Sequence, residues 1–390
     1  MPTRHRYIPA TVIALCAMTI LTAHARAAEG PSVNEIAPIT ALMQQFVDEG
    51  QIAGAVTLVA NDGQIAHLSA VGQADIEGKR PMQADTVFAI ASMTKPITAT
   101  AVMILKDDGK LCVEDPVSKY IPEFGEVRLD GEPPAREITI RDLMTHTSGI
   151  GGSQQNQGTL EETVRRLAER PLRFEPGAKW QYSPGLTVCG RVIEVAAGKP
   201  YEEFLAERIF RPLKMNDTTF FPTESHRARL AKIYRPGPEK GTLAPATHWL
   251  TELGPKRTPN PSGGLFSTAT DMSRFYQMIL SGGQLDGKRI VSEQAVRQMT
   301  SGQTVDLTTG FTPGNGWGLG WCVVRQPQGV SGMVSPGTFG HGGAFGTQGW
   351  VDPKRKMIFV LMIQRTAFGN ADASDVRGDF QRLAVEALVK

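Results

Sequence analysis

The sequence predicts an α+β fold, with an antiparallel sheet flanked by helices, built from both chain ends around a mainly helical insert. Three observations carry that expectation. Strand-like runs cluster near both ends of the 390 residues. One pair of them is joined by a hairpin signal, and the middle of the chain shows helical periodicity. The expected division is a leader at 1–28, an α/β domain from 29–110 together with 261–390, and a mainly helical domain at 111–260.

The elements follow in order. Arg4, His5 and Arg6 precede an apolar stretch at 10–23, and small residues follow in Ala23-His24-Ala25 and Ala25-Arg26-Ala27. That order is the pattern of a secretory signal peptide, and about 14 apolar residues are too few to span a bilayer. The leader carries three arginines and no acid, so its loss takes the formal charge from +2 to −1. A secreted or periplasmic protein with no membrane anchor after cleavage is expected. Ile36, Ile39, Leu42, Met43, Phe46 and Val47 then fall on one face of a helix. Runs at 53–60 and 64–71 flank Asn61-Asp62-Gly63, a hairpin signal because Gly accepts the positive φ of a tight turn. Residues 85–91 lead into a helix over 92–108 that Gly109 ends, with Pro96 tolerated in its first turn.

The insert has helical patterns at 141–145, 160–170, 186–197 and 201–211. Thr139-Ile140-Arg141-Asp142 has the form of a capping box with Asp in place of Glu. Residues 235–264, rich in Pro and Gly, read as a long loop and a wall of the substrate pocket. Strand signals return at 318–325, 338–352 and 357–364, before a last amphipathic helix at 371–389.

Composition narrows the function. With 41% hydrophobic and 21% charged residues the chain is an ordinary globular one, and no basic block suggests a nucleic-acid partner. Beyond the leader only Cys112, Cys189 and Cys322 remain, which is no disulfide framework. Cys189, in an apolar helical stretch, reads as a small buried hydrophobe. The histidines lack paired-ligand spacing, so neither a metal nor another cofactor is expected.

Chemistry concentrates at Ser92-Met93-Thr94-Lys95. At i and i+3 on a helix, Ser92 and Lys95 share a face within hydrogen-bonding reach. A serine hydroxyl needs a neighbouring base, and a desolvated lysine can be one. The helix N-terminus adds N–H donors where charge develops on a carbonyl oxygen. Alone, two fixed positions in four residues occur about once by chance in a chain this long.

The context is more specific. Phe88-Ala89-Ile90-Ala91-Ser92-Met93-Thr94-Lys95, Ile138 through Gly149 with its His146-Thr147-Ser148-Gly149 ending, Tyr182-Ser183-Pro184, Gly263 through Asp271, and Gly340-His341-Gly342-Gly343-Ala344-Phe345-Gly346-Thr347 occur in that order. Together they resemble the serine β-lactamase and penicillin-binding-protein superfamily, particularly its class C-like branch and the family VIII carboxylesterases. The resemblance implies a β-lactamase/transpeptidase-like fold. It implies Ser92 as the acylated nucleophile, Lys95 as its proton partner, and Tyr182 as a shared base that protonates the leaving group. An unperturbed phenol is a poor base at neutral pH, so Lys95 or another cation would have to lower the pKa of Tyr182. By the same resemblance the N–H groups of Ser92 and Ala344 form the oxyanion hole, and His341, Gly342 and Gly343 form the strand a substrate lies along. Read from the residues alone, His341 also fits a structural strand histidine. His146, Thr147 and Ser148 read as a helix-ending turn, and 267–271 as a capped helix N-terminus. Trp249, Trp317, Phe345 and Trp350 are candidates for an apolar acyl pocket.

Two departures bear on substrate. Typical β-lactamases have Asn where Pro184 stands, and Lys where His341 stands. Pro offers no side-chain hydrogen bond, and His is a weaker carboxylate anchor at neutral pH. Both point to a small-molecule ester substrate, cleaved through a Ser92 acyl-enzyme. Amide substrates, as for a D-amino-acid peptidase or amidase, and weak β-lactamase action are the alternatives. A penicillin-binding or sensor protein that acylates once without turnover is the alternative of another class.

Overall fold

The strands at the centre of the sheet are apolar at successive residues because both of their faces are covered. In the computed structural model, which describes residues 1–3, 35–153, 155–156, 158–304, 307–368 and 370–389, the sheet has eight strands. They are β1 (Gly54–Asn61), β2 (Gln64–Asp75), β3 (Arg80–Pro81), β4 (Asn315–Trp317), β5 (Cys322–Val324), β6 (Phe339–Gly342), β7 (Gln348–Asp352) and β8 (Met357–Met362). Their order is β4-β5-β6-β7-β8-β1-β2-β3, with every neighbouring pair antiparallel. The central pair, β1 and β8, joins segments from opposite ends of the chain, with Val56 opposite Met362 and Leu58 opposite Val360. The leader at 1–28 falls almost wholly outside the described residues, and Val33–Lys390 form one compact unit.

The two faces carry separate cores. Ala55 and Val59 of β1, with Phe359 and Leu361 of β8, pack against α1 (Ala37–Asp48) and the C-terminal helix Asp375–Leu388. Val56, Leu58 and Ala60, with Ile358, Val360 and Met362, pack on the other face against α2 (Thr94–Asp107) and the helix Ala269–Leu280. Alternate residues of one run therefore enter different cores, the expected outcome for a strand buried on both sides. Beyond α2 stand α3 (Ile140–Thr145), α4 (Leu160–Ala168) and α5 (Gly185–Ala197), with α5 packed on α2, α3 and α4. Among the described residues no helix is long and apolar enough to cross a membrane.

Local chemistry explains most boundaries. Asp62 and Gly63, at φ 46° and 82°, form the two-residue turn between β1 and β2. Thr139 caps α3 by accepting from Asp142 N–H while the Asp142 carboxylate accepts from Thr139 N–H, so Asp serves the box as Glu would. Thr268 caps Ala269–Leu280 by accepting from Asp271 N–H. The structure departs from expectation in three places. The run at 318–325 is strand only at Cys322–Val324; residues 318–321 form the turn joining β4 and β5, with Gly320 at φ 77° where a Cβ would lie 2.4 Å from that of Ala99. The run at 338–352 breaks at 343–347 into β6 and β7. The stretch at 235–264 is not wholly loop: Tyr234–Pro236 and Leu243–Pro245 pair as a short hairpin, and Trp249–Thr251 makes a 3-10 turn.

Candidate active site

Ser92 lies in a single 3-10 turn, Ala91–Met93, that runs directly into α2. The turn is entered through Ala91 at φ 45°, a left-handed conformation that costs a non-glycine residue about 1–3 kcal/mol. Its neighbours hold it there. Ile90 N–H donates to Leu265 O at 3.0 Å, and the Gln364 side chain donates to Ala89 O at 3.1 Å. Ser92 keeps partial exposure, whereas Lys95, one turn on, has none.

The Lys95 amine stands 3.1 Å from Ser92 Oγ and donates to the Ser262 carbonyl at 2.6 Å. Burial alone drives its pKa well below that of an ordinary lysine, which favours the uncharged amine. With one N–H given to Ser262 O, a neutral amine can turn its lone pair toward the serine hydroxyl. Ser262 is itself fixed, its hydroxyl 2.7 Å from Thr187 Oγ1 and its N–H donating to Asn260 Oδ1 at 2.9 Å. The supposed loop at 235–264 thus reaches the site through a backbone oxygen.

Tyr182 completes this group. Its hydroxyl lies near the Ser92 side chain, and Lys95 Nζ lies 4.6 Å from its ring centre. Burial pushes the phenol above its ordinary pKa, against the smaller opposing effect of Ser92. The expectation that a nearby cation would depress it is therefore not met, because Lys95 is itself disfavoured as a cation. Burial thus favours an uncharged Lys95 amine beside a neutral Tyr182 hydroxyl.

His146 grips the chain on both sides of Tyr182, a role the sequence did not disclose. It ends α3 in the left-handed conformation at φ 61°. Its carbonyl accepts from Gln181 N–H at 2.9 Å, and its Nδ1 accepts from Ser183 N–H at 3.2 Å. The proton therefore resides on Nε2, which is buried and has no partner among the described residues. The imidazole lies 4.5 Å from the Tyr182 ring, and Trp180, Trp317 and the half-exposed Phe311 complete the surround. Burial, then the proximity of Lys95 and His341, holds the His146 pKa well below the ordinary value.

His341, on β6, approaches from the other side, with Nε2 3.4 Å from the Tyr182 hydroxyl and Nδ1 2.6 Å from Gly342 O. Burial lowers its pKa to about 4, with a further contribution from Lys95. Strand β5 pairs with β6 only at Phe339 and Gly340, and β6 continues through His341 and Gly342 against β7. The glycines themselves serve protein contacts. A Cβ at Gly343 would lie 2.1 Å from Thr347 Oγ1 and 2.6 Å from Ile90 O, so its absence lets the end of β6 press against the Ser92 turn. That places exposed Ala344 beside the Ser92 turn.

The four candidate aromatics separate. Phe345 and Trp249 join Leu250 in a small apolar cluster with Ala91, immediately behind Ser92. Trp317 lies edge-on to His146 and His341. Trp350 is in the core below the sheet, 3.8 Å from the Arg377 guanidinium, because it faces the C-terminal helix. Cys189 and Cys322 are buried thiols and Cys112 an exposed one. Among the described residues no group of three His, Cys, Asp or Glu side chains gathers as metal ligands would.

Comparison with known proteins identifies the family of the chain. The family model described as Beta-lactamase matches residues 39–384. Protein Rv1367c of Mycobacterium tuberculosis is 34% identical over 366 residues, covering 86% of this chain and 91% of that protein. Esterase EstB of Burkholderia gladioli is 32% identical, covering 85% and 91%. The D-alanyl-D-alanine-carboxypeptidase/endopeptidase AmpH of Escherichia coli is 28% identical, covering 90% of each. Among solved structures, EstCE1, a hydrolase with promiscuous acyltransferase activity, superposes with a TM-score of 0.78 at 26% identity, over 90% of this chain and 98% of that one.

Proposed function

The chain belongs to the beta-lactamase family and is a serine hydrolase, and from that premise we propose that it is an exported esterase cleaving small acyl esters through an acyl-Ser92 intermediate. The observation that carries the reading is the buried Lys95 amine 3.1 Å from Ser92 Oγ, with the Tyr182 ring centre 4.6 Å from the same amine. Ser92 Oγ attacks the ester carbonyl carbon as its proton passes to Lys95 Nζ. The N–H groups of Ser92 and Ala344 hold the oxyanion; one such donor is worth about 100- to 1000-fold in rate. The C–O bond then breaks, and the departing alkoxide takes its proton from the Tyr182 hydroxyl, which Lys95 resupplies. Water activated by the same pair releases the acid and restores Ser92.

Ester over lactam is supported by Pro184, which begins α5 without a polar side chain, by His341 held uncharged by burial, and by the likeness to EstB. Export is supported by the leader pattern at 1–28. The test is steady-state hydrolysis of p-nitrophenyl acetate and butyrate beside nitrocefin, for wild type and Ser92→Ala, on fractionated cells. Ester turnover outside the cytoplasm, lost in Ser92→Ala and with little nitrocefin cleavage, is expected. Dominant nitrocefin turnover would overturn the ester preference. A single burst without turnover would indicate a sensor, and cleavage of D-Ala peptides alone a peptidase like AmpH.

A further inference from the structure

The space beside Gly342 is filled by a carboxylate. A Cβ at Gly342 would lie 1.7 Å from Asp372 Oδ1, so the 3-10 turn Ala371–Ala373 carries that oxygen directly against the strand that holds His341. Gln348 of β7 donates to the same oxygen at 3.2 Å and to Ala371 O at 3.1 Å. From below, fully buried Arg377 donates to the Asp372 carbonyl at 2.5 Å while stacking on Trp350. The turn is thus anchored from two sides. Arg377 keeps its charge sealed in the core, whereas Asp372 is only partly buried.

The position matters because of where a leaving group goes. The oxyanion amides lie at Ser92 and Ala344, and the proton donor to the departing oxygen is Tyr182, 3.4 Å from His341. The leaving group therefore extends from Tyr182 toward His341 and Gly342, where Asp372 sits. The titratable and charged groups coupled to it are His341 and Tyr182, which burial keeps uncharged, and Arg377, whose guanidinium meets it from the sealed core side.

We propose that Asp372 determines specificity, barring esters whose leaving group carries an anion and admitting neutral or cationic ones. This rests on the acyl-enzyme reading above. It gives Gly342 a second purpose: any side chain there would displace the carboxylate.

The test uses three aryl acetates with a meta carboxylate, no substituent or a meta trimethylammonium group. Each kcat/KM is divided by that ester's rate with hydroxide, which removes intrinsic reactivity. Wild type should discriminate against the anionic ester by about tenfold or more, as expected for like charges within several ångströms at a partly solvated site. In Asp372→Asn the anionic-to-neutral ratio should rise at least about fivefold, whatever the absolute rates. Equal normalised rates in wild type overturn the proposal, as does an unchanged ratio in the variant. If the variant fails to fold, wild type decides: added salt should narrow the gap, and a salt-independent gap overturns the assignment. Mass spectrometry for an acyl adduct at Ser92 separates the two readings. No adduct from any ester defeats the esterase reading, whereas equal acylation by all three defeats only this one.

Discussion

At the scale of single residues, the site depends on a lysine kept from its usual charge. Lys95 has no exposed surface, and burial is the one cause of its lowered pKa. Because the proposed reaction needs the free amine, kcat/KM for a neutral ester should rise with pH through the lowered Lys95 pKa and level off above it. Lys95→Arg cannot supply a free base at any working pH. It should lose about 1000-fold or more in kcat, within the range a positioned base contributes, with no acidic limb left to titrate. A pH–rate profile of both proteins checks this, and an active, pH-independent arginine variant would refute the assignment of the base. His146 acts at the same scale but indirectly. It fixes the backbone before and after Tyr182, and so determines where the phenol points.

At the scale of elements, the decisive contact is strand β6 against the Ser92 turn. Gly343→Ala would bring a Cβ to 2.6 Å from Ile90 O and 2.1 Å from Thr347 Oγ1. Strand and turn would have to part by a fraction of an ångström, misplacing one oxyanion donor relative to the other. A fall in kcat of about 100-fold with the fold intact is expected, read from ester kinetics beside circular dichroism. How much of this was legible follows from the range of each interaction. The Asp62-Gly63 hairpin, the Thr139–Asp142 capping box and the one-turn spacing of Ser92 and Lys95 are local, and each stands as the sequence indicated. The Ser262 carbonyl on Lys95, the His146 clamp on Tyr182 and the Asp372 carboxylate over Gly342 join residues 167, 36 and 30 positions apart. Periodicity carries no information about such pairs. Strand ends misled for a related reason: around Gly320, apolar neighbours read as a continuous strand, although only a positive φ fits against Ala99.

At the scale of the whole molecule, stability is tied to pH through buried imidazoles. His67 on β2 accepts from Ile36 N–H through Nδ1 at 3.0 Å and meets Thr57 Oγ1 through Nε2 at 2.9 Å. A second proton on Nδ1 would confront that N–H, and burial holds the pKa at about 4; His341 is held to about 4 as well. Unfolded, each would titrate near 6.5, so between about 6.5 and 4 the unfolded chain binds more protons than the folded one. The stability contribution is complete above 6.5 and is lost as pH falls toward 4, up to about 3 kcal/mol for each group. Urea midpoints measured across that window should drop with acidity, and His67→Leu should show a shallower slope. An unchanged slope in the variant would place the titration elsewhere.

Ser92, Tyr182, Ser262 and Ala344 lie on four widely separated stretches of chain, and under the proposed chemistry none works without the others. A chain still missing β6 has a serine with no complete cradle for its oxyanion, and one not yet closed at Ser262 leaves its lysine hydrated and charged. Catalytic power therefore arrives in one step, at the end of folding. Such an enzyme is silent while it is being made, and its activity certifies that the last strand has found its place.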